Sequence, residues 1–319
     1  MISVSIIIPV YNVEPYIEKC LQSVMSQTYQ GEIECILVDD CGSDNSIKVA
    51  EETIAQYTGP ISFSVIHHNV NKGLPAARNT GIIHAKGGWL FFMDSDDYIS
   101  DSCIEKMMAS VDRDNSVQMV IGNTMPIPST EKNLRHHDLK YKNLPEKFMD
   151  NASIRRKFYD LQSSLPYYAW NKLISFDFLL GNHLFFREGL LCNEDVHWSY
   201  FVYRKLECVV FLSDYTYMHV SNPGSIMHIM IERKNADCWA IVIDDFLNSL
   251  DADYFHSQFT YCFRYFRPWY MNFSDLESFR HLYRRFLLIA FKNFEVKIAA
   301  ILCLMQVKLF LMSIIGTGK

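Results

Sequence analysis

Two clusters of acidic side chains each follow a short, mostly apolar run. Asp39 and Asp40 come directly after Ile33–Val38, and the acidic run Asp94–Asp97 comes directly after Trp89–Met93. Carboxylates held close together repel one another and raise each other's pKa. A bound divalent cation removes the cost of this repulsion. Oxygen ligands suit Mg²⁺ or Mn²⁺, and a metal held by one or two carboxylates completes its shell with phosphate oxygens and water. The clusters predict a metal–diphosphate site; the alternative is that these acids cap helices and form turns.

The elements that position these clusters alternate between strand-like and helix-like patterns. Helical periodicity occurs in Val13–Gln27 and again from Pro75 to about Ala85. This alternation predicts an α/β fold with a mostly parallel, Rossmann-like sheet and helices on both faces. Ligands of such sheets bind outside the carboxyl ends of the strands, where both acidic clusters fall. The predicted strands are Ser3–Val10, Ile33–Val38, Ser62–His67, Trp89–Met93 and Val117–Ile121.

Beyond residue 125 the pattern is mixed. A polar stretch from Pro126 to about Lys147 predicts a surface loop. Helical segments are then predicted around Phe158, around Trp170 and over Val196–Tyr203, and two strands over Val209–Leu212 and Tyr215–Val220.

Composition narrows the class of protein. The net charge is −6, so the chain lacks the basic field that nucleic-acid binding requires. Nine cysteines are scattered without metal-binding spacing, which suits a reducing compartment. The apolar run near the N-terminus lacks a basic region and a cleavage site, so we expect a cytoplasmic protein.

Four ordered blocks stand out in the sequence: Pro9–Asn12, Leu37–Asp44, Asn71–Gly81 and Phe92–Asp97. In their order and spacing the sequence resembles the family 2 glycosyltransferases of the GT-A fold. The resemblance implies an inverting, metal-dependent enzyme of bacterial surface polysaccharide biosynthesis. It would move a sugar from a nucleotide-diphosphate donor, commonly a UDP-sugar, to a hydroxyl of a glycan or lipid-linked acceptor.

The resemblance implies donor-binding roles for individual residues in these blocks. Asp40 or its neighbour Asp39 would accept a hydrogen bond from the base, and the extra residue Cys41 in the following turn leaves the choice open. Lys72 and Arg78 would lie near the nucleotide and diphosphate, which suits their charge. The remaining members of the implied donor set are Pro9, Tyr11, Asn12, Asp94 and Ser95.

The implied metal, Mn²⁺ or Mg²⁺, would be held by two of the same acids. Asp96 would ligate the metal, and Asp94 would touch the ribose or a metal-bound water. Asp97 instead is a candidate cap of the following segment. His219, in a block after the predicted base, is a candidate contact to the diphosphate or metal, or alternatively a hydrogen-bonded histidine of a strand.

A sugar hydroxyl needs a general base as the new bond forms. In the block Asn193–Trp198 the resemblance assigns this role to Asp195, with Glu194 as the less favoured choice. The alternative is that these acids only stabilise a helix N-terminus. A single displacement with one base inverts the anomeric centre, by analogy with glycosidases. Trp170 is a candidate acceptor contact or a core residue.

The domain prediction is a transferase domain over residues 1–230 and a helical extension over 231–319. The first would divide into a nucleotide-binding half, 1–125, and an acceptor half, 126–230. Residues 255–319 carry nine Lys and Arg against three acids. Within them, the apolar Ile298–Ile315 contains Gln306 and Lys308, which are costly at a bilayer centre. We expect peripheral contact with the inner face of the plasma membrane; a core helix or a membrane span are the alternatives.

Two other functions remain open at this point. A nucleotidyltransferase also uses carboxylates and a metal on an α/β sheet, but it usually needs an N-terminal Gly-rich phosphate loop, which this sequence lacks. A non-catalytic subunit that only binds nucleotide sugars would keep the fold. The joint presence of Asp94, Asp96 and Asp195 favours an enzyme.

Overall fold

The structure is a computed structural model that describes residues 3–127, 147–159, 165–222, 232–269, 276–293 and 295–305. The chain forms two compact units, Met1–His228 and Ile229–Lys319. The first contains the sheet, and the described part of the second is helical.

The first half of the larger unit is a parallel α/β layer. Its elements are β1 (Val4–Val10), α1 (Ile17–Met25), β2 (Ile33–Asp39), α2 (Ser46–Ala55), β3 (Ser62–His67), α3 (Leu74–His84) and β4 (Trp89–Phe92). The strands pair in parallel in the order β3-β2-β1-β4. α1 shares a core with Ile6 and Ile8, whereas Gly81 of α3 lies against Ile7 on the opposite face. Helices therefore cover β1 on both sides, and all of its residues are buried.

The second half of this unit adds strands of both directions. Its elements are β5 (Tyr98–Ile99), α4 (Cys103–Arg113), β6 (Met119–Ile127), β7 (Lys147–Asp150), α5 (Asn151–Tyr159), β8 (Lys172–Ser175), α6 (Phe176–Gly181), α7 (Glu194–Lys205) and β9 (Cys208–Val220). β8 lies between β4 and β6 and is antiparallel to both. β9 is parallel to β6 and antiparallel to β5 and β7. Within the described ranges, one sheet of nine strands results.

The five strands predicted within the first 125 residues are present as β1 to β4 and β6, and the predicted α/β sheet is confirmed. Two predictions are wrong. Trp170 lies in a bend and not in a helix, because Asn171 has a φ of +56° and β8 begins directly after it. Its indole stacks on other aromatic rings there. The strands predicted over Val209–Leu212 and Tyr215–Val220 are one strand, β9, because a shift in its register against β6 accommodates the polar residues between them.

The second unit consists of helices as far as it is described. They are α8 (Glu232–Asn248), α9 (Phe255–Trp269), α10 (Leu276–Lys292) and a helical stretch over residues 296–305, with a short 3-10 turn at Ala252–Tyr254. No helix in the described part of the chain is long and apolar enough to cross a membrane. The end of the predicted apolar segment, 306–315, lies outside the described residues.

Candidate active site

The end of β2 presents two neighbouring aspartates in different surroundings. The Asp40 carboxylate is buried: Oδ1 accepts from Lys72 N and lies near His68 Nδ1, both at 2.8 Å, and Oδ2 accepts from Gly73 N at 2.8 Å. Asp39 accepts from Cys41 N at 3.0 Å and contacts His67 at 2.9 Å, and its side chain is 16% exposed. Cys41 has a φ of +58°, which bends the chain just after the pair. Asp40 therefore anchors the turn before α3, and Asp39 is the more accessible acid.

The rest of the predicted nucleotide-binding block lies beside this bend. Pro9 is buried within β1 and pairs with Val38, whereas Tyr11 is 45% exposed. Asn12, with a φ of +53°, accepts from Ser43 N at 2.7 Å and so joins the ends of β1 and β2. The side chain of Lys72 is exposed. Among the residues of the implied donor set, those with exposed side chains are therefore Tyr11, Asn12 and Lys72.

Arg78 of α3 brings the two predicted halves of the site together. Its side chain is 1% exposed and touches three carboxylates. Nη2 donates to Asp94 Oδ1 at 2.9 Å, and Nη1 donates to Asp195 Oδ1 at 2.5 Å and to Glu194 Oε1 at 3.3 Å. Burial alone lowers the pKa of Arg78, but the charges of Asp195, Asp94 and Glu194 outweigh it and raise the pKa. A permanently charged guanidinium therefore lies among these acids.

Asp195 and Glu194 begin α7 at a defined point. Asn193 has a φ of +62°, and its carbonyl accepts from His197 N at 3.0 Å to close the first turn. Trp198, one turn later, is buried and donates from its indole to Leu184 O at 3.0 Å. Burial raises the pKa of Glu194, and the adjacent charge of Asp195 raises it further. A buried tryptophan thus fixes the helix whose first turn carries the predicted base.

The acids after β4 differ in how deeply they are buried: Asp94 and Asp96 are partly buried and Asp97 is fully buried. Asp96 Oδ2 accepts from Asn222 Nδ2 at 2.9 Å. Asp97 is 1% exposed, accepts from Val220 N at 2.7 Å and contacts His219 Nδ1 at 3.2 Å. Burial raises the pKa of both aspartates, and Asp97 raises that of Asp96 further. Asp97 thus joins the acidic turn to β9, while Ser95 is buried between Asp94 and Asp96.

A divalent cation fits Asp94 and Asp96 in part. Asp94 binds Arg78 through Oδ1 and Asp96 binds Asn222 through Oδ2, so neither contact takes up both oxygens of its carboxylate. Burial raises the pKa of Asp94, and a nearby cation would relieve this cost. In the described part of the chain no group of three His, Cys, Asp or Glu side chains forms a complete metal site. Two carboxylates with phosphate oxygens and water are the ligand set that suits Mg²⁺ or Mn²⁺.

Trp170 and His219 belong to one aromatic stack. Tyr168, Tyr217 and His219 lie nearly parallel to the Trp170 indole, at centroid distances of 3.7, 4.6 and 5.1 Å. Burial lowers the pKa of His219, but the bond to Asp97 outweighs it and raises the pKa above its ordinary value. Trp170 is thus half-buried and packs against three rings.

Sequence reasoning missed Lys172 as a member of the site. Its side chain is fully buried, its ammonium group donates to the carbonyl of Tyr168 and lies 4.2 Å from the centre of the Tyr168 ring. Burial lowers the pKa of Lys172 to about 7, against the opposing charge of Asp195. The Trp-Asn-Lys block was visible in the sequence, but nothing local distinguishes a buried lysine from an exposed one. Asn222 was also missed, although it lies within the predicted His219 block.

Comparison with known proteins agrees with this geometry. The profile of glycosyl transferase family 2 matches residues 5–179. Glycosyltransferase GlyA of Streptococcus pneumoniae serotype 4 (strain TIGR4) is 31% identical over 239 residues, which cover 72% of this chain and 32% of GlyA. Glycosyltransferase EpsJ of Bacillus subtilis (strain 168) is 30% identical over 226 residues, which cover 71% of this chain and 63% of EpsJ. The matches thus span about a third of GlyA and under two thirds of EpsJ.

Solved structures share the fold. The crystal structure of Staphylococcus aureus TarS, residues 1–349, in complex with UDP superposes with a TM-score of 0.69 at 20% identity, covering 96% of this chain and 88% of that one. The GT-A fold implied by the sequence blocks is thereby confirmed. The family profile covers more than half of the chain and includes all four blocks. The protein belongs to glycosyl transferase family 2.

Proposed function

We propose that the protein transfers a sugar from a UDP-sugar to a hydroxyl of a glycan or lipid-linked acceptor in surface polysaccharide synthesis, with inversion and with the help of Mn²⁺ or Mg²⁺. One observation carries this proposal. Asp94, from the acidic turn after β4, and Asp195, from the first turn of α7, bind the same guanidinium at 2.9 and 2.5 Å. A donor-side acid and a candidate base thus meet at one point.

The donor side favours a nucleotide with an exposed imide, as in uracil. Asp39 is the accessible acid at the end of β2, whereas Asp40 is occupied by the turn before α3. We therefore assign the contact with the base to Asp39. TarS, the poly(ribitol-phosphate) β-N-acetylglucosaminyltransferase of S. aureus, is 27% identical over 69% of this chain, and its structure is known with UDP-GlcNAc. UDP-N-acetylhexosamines are accordingly the first donors to test.

The chemical step follows from the position of Asp195. Its carboxylate takes the proton of the acceptor hydroxyl while the hydroxyl oxygen attacks the anomeric carbon and the bond to the diphosphate breaks. One displacement by one nucleophile inverts that carbon. A divalent cation held by Asp94 and Asp96 would offset the negative charge on the leaving UDP. Glu194, whose pKa is raised by burial, lies on the same guanidinium and is a candidate to receive the proton next.

The acceptor would approach on the side of the aromatic stack. The edge of Trp170, next to His219, lies in the same region as the acidic turn because His219 bonds to Asp97. Aromatic edges and amphipathic rings suit the apolar and polar faces of a sugar. This part of the proposal concerns contact only and assigns no linkage.

The second unit supplies a surface suited to an anionic membrane. Four large apolar side chains are 64–74% exposed: Leu288, Phe291, Val296 and Leu304. The exposed basic residues nearby in sequence are Arg280, Arg284, Lys292 and Lys297. Apolar side chains flanked by cations are the pattern of peripheral binding to anionic lipid, so we propose contact with the cytoplasmic face of the plasma membrane.

Liposome flotation tests this part. The protein is expected to float with vesicles that contain anionic phosphatidylglycerol and not with neutral phosphatidylcholine vesicles. Leu288→Ser/Phe291→Ser should abolish flotation, while the matched control Ile83→Ser, also an exposed apolar residue, should not. Equal flotation of both variants would exclude this surface.

A donor screen tests the transferase itself. Nucleotide sugars are screened for thermal stabilisation with Mn²⁺, and UDP release is then measured with and without EDTA. Release of UDP and sugar that requires the metal supports the proposal. Binding without release, also in the presence of candidate acceptors, would instead support a non-catalytic nucleotide-sugar-binding subunit.

A further inference from the structure

Every nitrogen of the Arg78 guanidinium is engaged or enclosed. Nη1 and Nη2 bind carboxylates, and Nε is buried without a hydrogen-bond partner among the described residues. The side chain is 1% exposed, and its guanidinium carbon lies 5.2 Å from the centre of the Phe186 ring. A phosphate group would have to displace at least one carboxylate to reach this cation. Burial and the three acids therefore argue against the contact with the diphosphate that the family resemblance implies.

Neutral contacts already hold α3 beside the segment that leads to α7. Asn79 Nδ2 donates to Phe186 O at 2.9 Å, and Phe186 N donates to Asn79 Oδ1 at 2.8 Å. The Phe186 ring also stacks on Trp198 of α7 at 4.8 Å. These contacts fix the backbone on both sides of Arg78 without its charge. The ion pairs are thus left to orient carboxylates.

We propose that Arg78 is a positioning residue that ties the base Asp195 to the donor-side acid Asp94, and is not a ligand of the diphosphate. The inference rests on the proposed roles of these two aspartates. The fork of the guanidinium fixes two carboxylates at adjacent nitrogens, which a point-charged lysine does not reproduce. Arg78 thereby fixes the position of Asp195, which accepts the proton, relative to Asp94, which lies on the donor side.

The two roles of Arg78 predict opposite effects on binding. A ligand of the diphosphate that is removed weakens the binding of UDP with Mn²⁺. A positioning cation that is removed leaves this affinity unchanged or increases it, because a positive charge beside Asp94 is lost. Only the transfer step then suffers.

The test compares three variants with the wild type. Arg78→Lys keeps the charge but loses the fork, and Arg78→Met/Glu194→Gln removes one acid along with the cation so that the buried charge stays balanced. Lys48→Met, on exposed α2, controls for the loss of a positive charge. UDP–Mn²⁺ affinity is measured by calorimetry, and kcat and KM are measured for transfer. We expect kcat to fall on the order of 100-fold in Arg78→Lys, with the Kd for UDP–Mn²⁺ within about threefold of wild type.

A double-mutant cycle separates positioning from general damage. If Arg78 acts through Asp195, Arg78→Lys adds little to the loss of kcat in Asp195→Asn. Independent, multiplying losses would overturn the inference, as would a tenfold weaker Kd with kcat retained. Wild-type protein that binds UDP but transfers no sugar would instead contradict the proposed function. The Kd comparison would then decide alone whether Arg78 is a ligand of the diphosphate.

Discussion

Replacing Asp40 by Ala removes the acceptor of the hydrogen bonds that hold the turn before α3. Lys72 N, Gly73 N and His68 Nδ1 each lie 2.8 Å from its carboxylate. A hydrogen bond to a charged buried group contributes about 1.5–3 kcal/mol. Because the three bonds share one group and water partly replaces them, we expect the free energy of unfolding to fall by about 4 kcal/mol. For a domain of this size that corresponds to a Tm lower by roughly 8 °C or more.

Asp39→Ala is the matched control, one residue away in the same bend. Asp39 is more exposed, and within the described ranges its carboxylate accepts from Cys41 N and contacts the exposed His67. Its loss is expected to cost about 1 kcal/mol, or a Tm shift of roughly 2–4 °C. The affinity for UDP, in contrast, should fall about tenfold or more, as expected for a lost hydrogen bond between a charged group and the base.

Differential scanning fluorimetry and UDP calorimetry on both variants read the two effects separately. The reasoning is refuted if Asp40→Ala unfolds within about 2 °C of wild type, since three bonds to a buried charge cannot be lost at that cost. It is also refuted if Asp39→Ala destabilises the protein as much as Asp40→Ala does. In that case exposure would be no guide to which acid is free for a ligand.

Asp195→Asn is expected to lower kcat on the order of 10³-fold and to leave UDP affinity within about threefold; similar losses of both would contradict its role as base. Asp96→Ala is expected to abolish the tightening of UDP binding by Mn²⁺, and unchanged metal dependence would show that the ligand is elsewhere. Burial lowers the pKa of Lys172 to about 7. Between pH 7 and the ordinary pKa of lysine, the unfolded chain therefore binds one proton more than the folded chain, so the free energy of unfolding of the wild type rises with pH. Denaturant unfolding of Lys172→Met should lack this rise, and parallel curves would show that the buried amine keeps its proton.

The parallel half of the sheet could be predicted because its signals are local. β1, β2 and β4 are short, mostly apolar runs that neighbour helices along the chain, and β1 carries no charged residue. A run of this kind is stable only where both faces are covered, which fixes it as a central strand. The acidic clusters follow directly, since residues after such strands fall at the ligand-binding edge.

The strand pairings of the mixed half could not be predicted, although several of its strands and helices were, because these pairings join distant parts of the chain. β8 has four residues, Lys172–Ser175, and fits between β4 and β6 with Leu173 beside Phe91 and Val120. A strand of four residues is too short for its sequence to indicate which strands will flank it. The buried Asn171, with a φ of +56°, donates to Gly122 O and Asn123 O and so holds the start of β8 against β6. Such a role appears only once both segments are in place.

The same limit applies to charges. The sequence block singles out Arg78 but not its partners. Asp195 on α7 lies 117 residues away along the chain, and Asp94 after β4 lies 16 residues away. A sequence identifies the charge, whereas the fold decides whether a phosphate or a carboxylate neutralises it. Trp170 is a similar case, since the three aromatic rings that stack with its indole come from one strand, β9, and from the loop before β8.

Each acidic cluster contains one buried aspartate that holds the backbone and one that is more accessible, a difference that the sequence does not show. At the end of β2, Asp40 is buried and anchors a turn, and its neighbour Asp39 is partly exposed. After β4, Asp97 is buried and anchors β9, whereas Asp96 is only partly buried and accepts from Asn222 through one oxygen. A loop that offers a carboxylate to a ligand needs a rigid backbone, and a second carboxylate that binds main-chain amides supplies it. In the proposed site, each strand end thus pairs a supporting aspartate with one that is left for the ligand, and their hydrogen bonds distinguish the two.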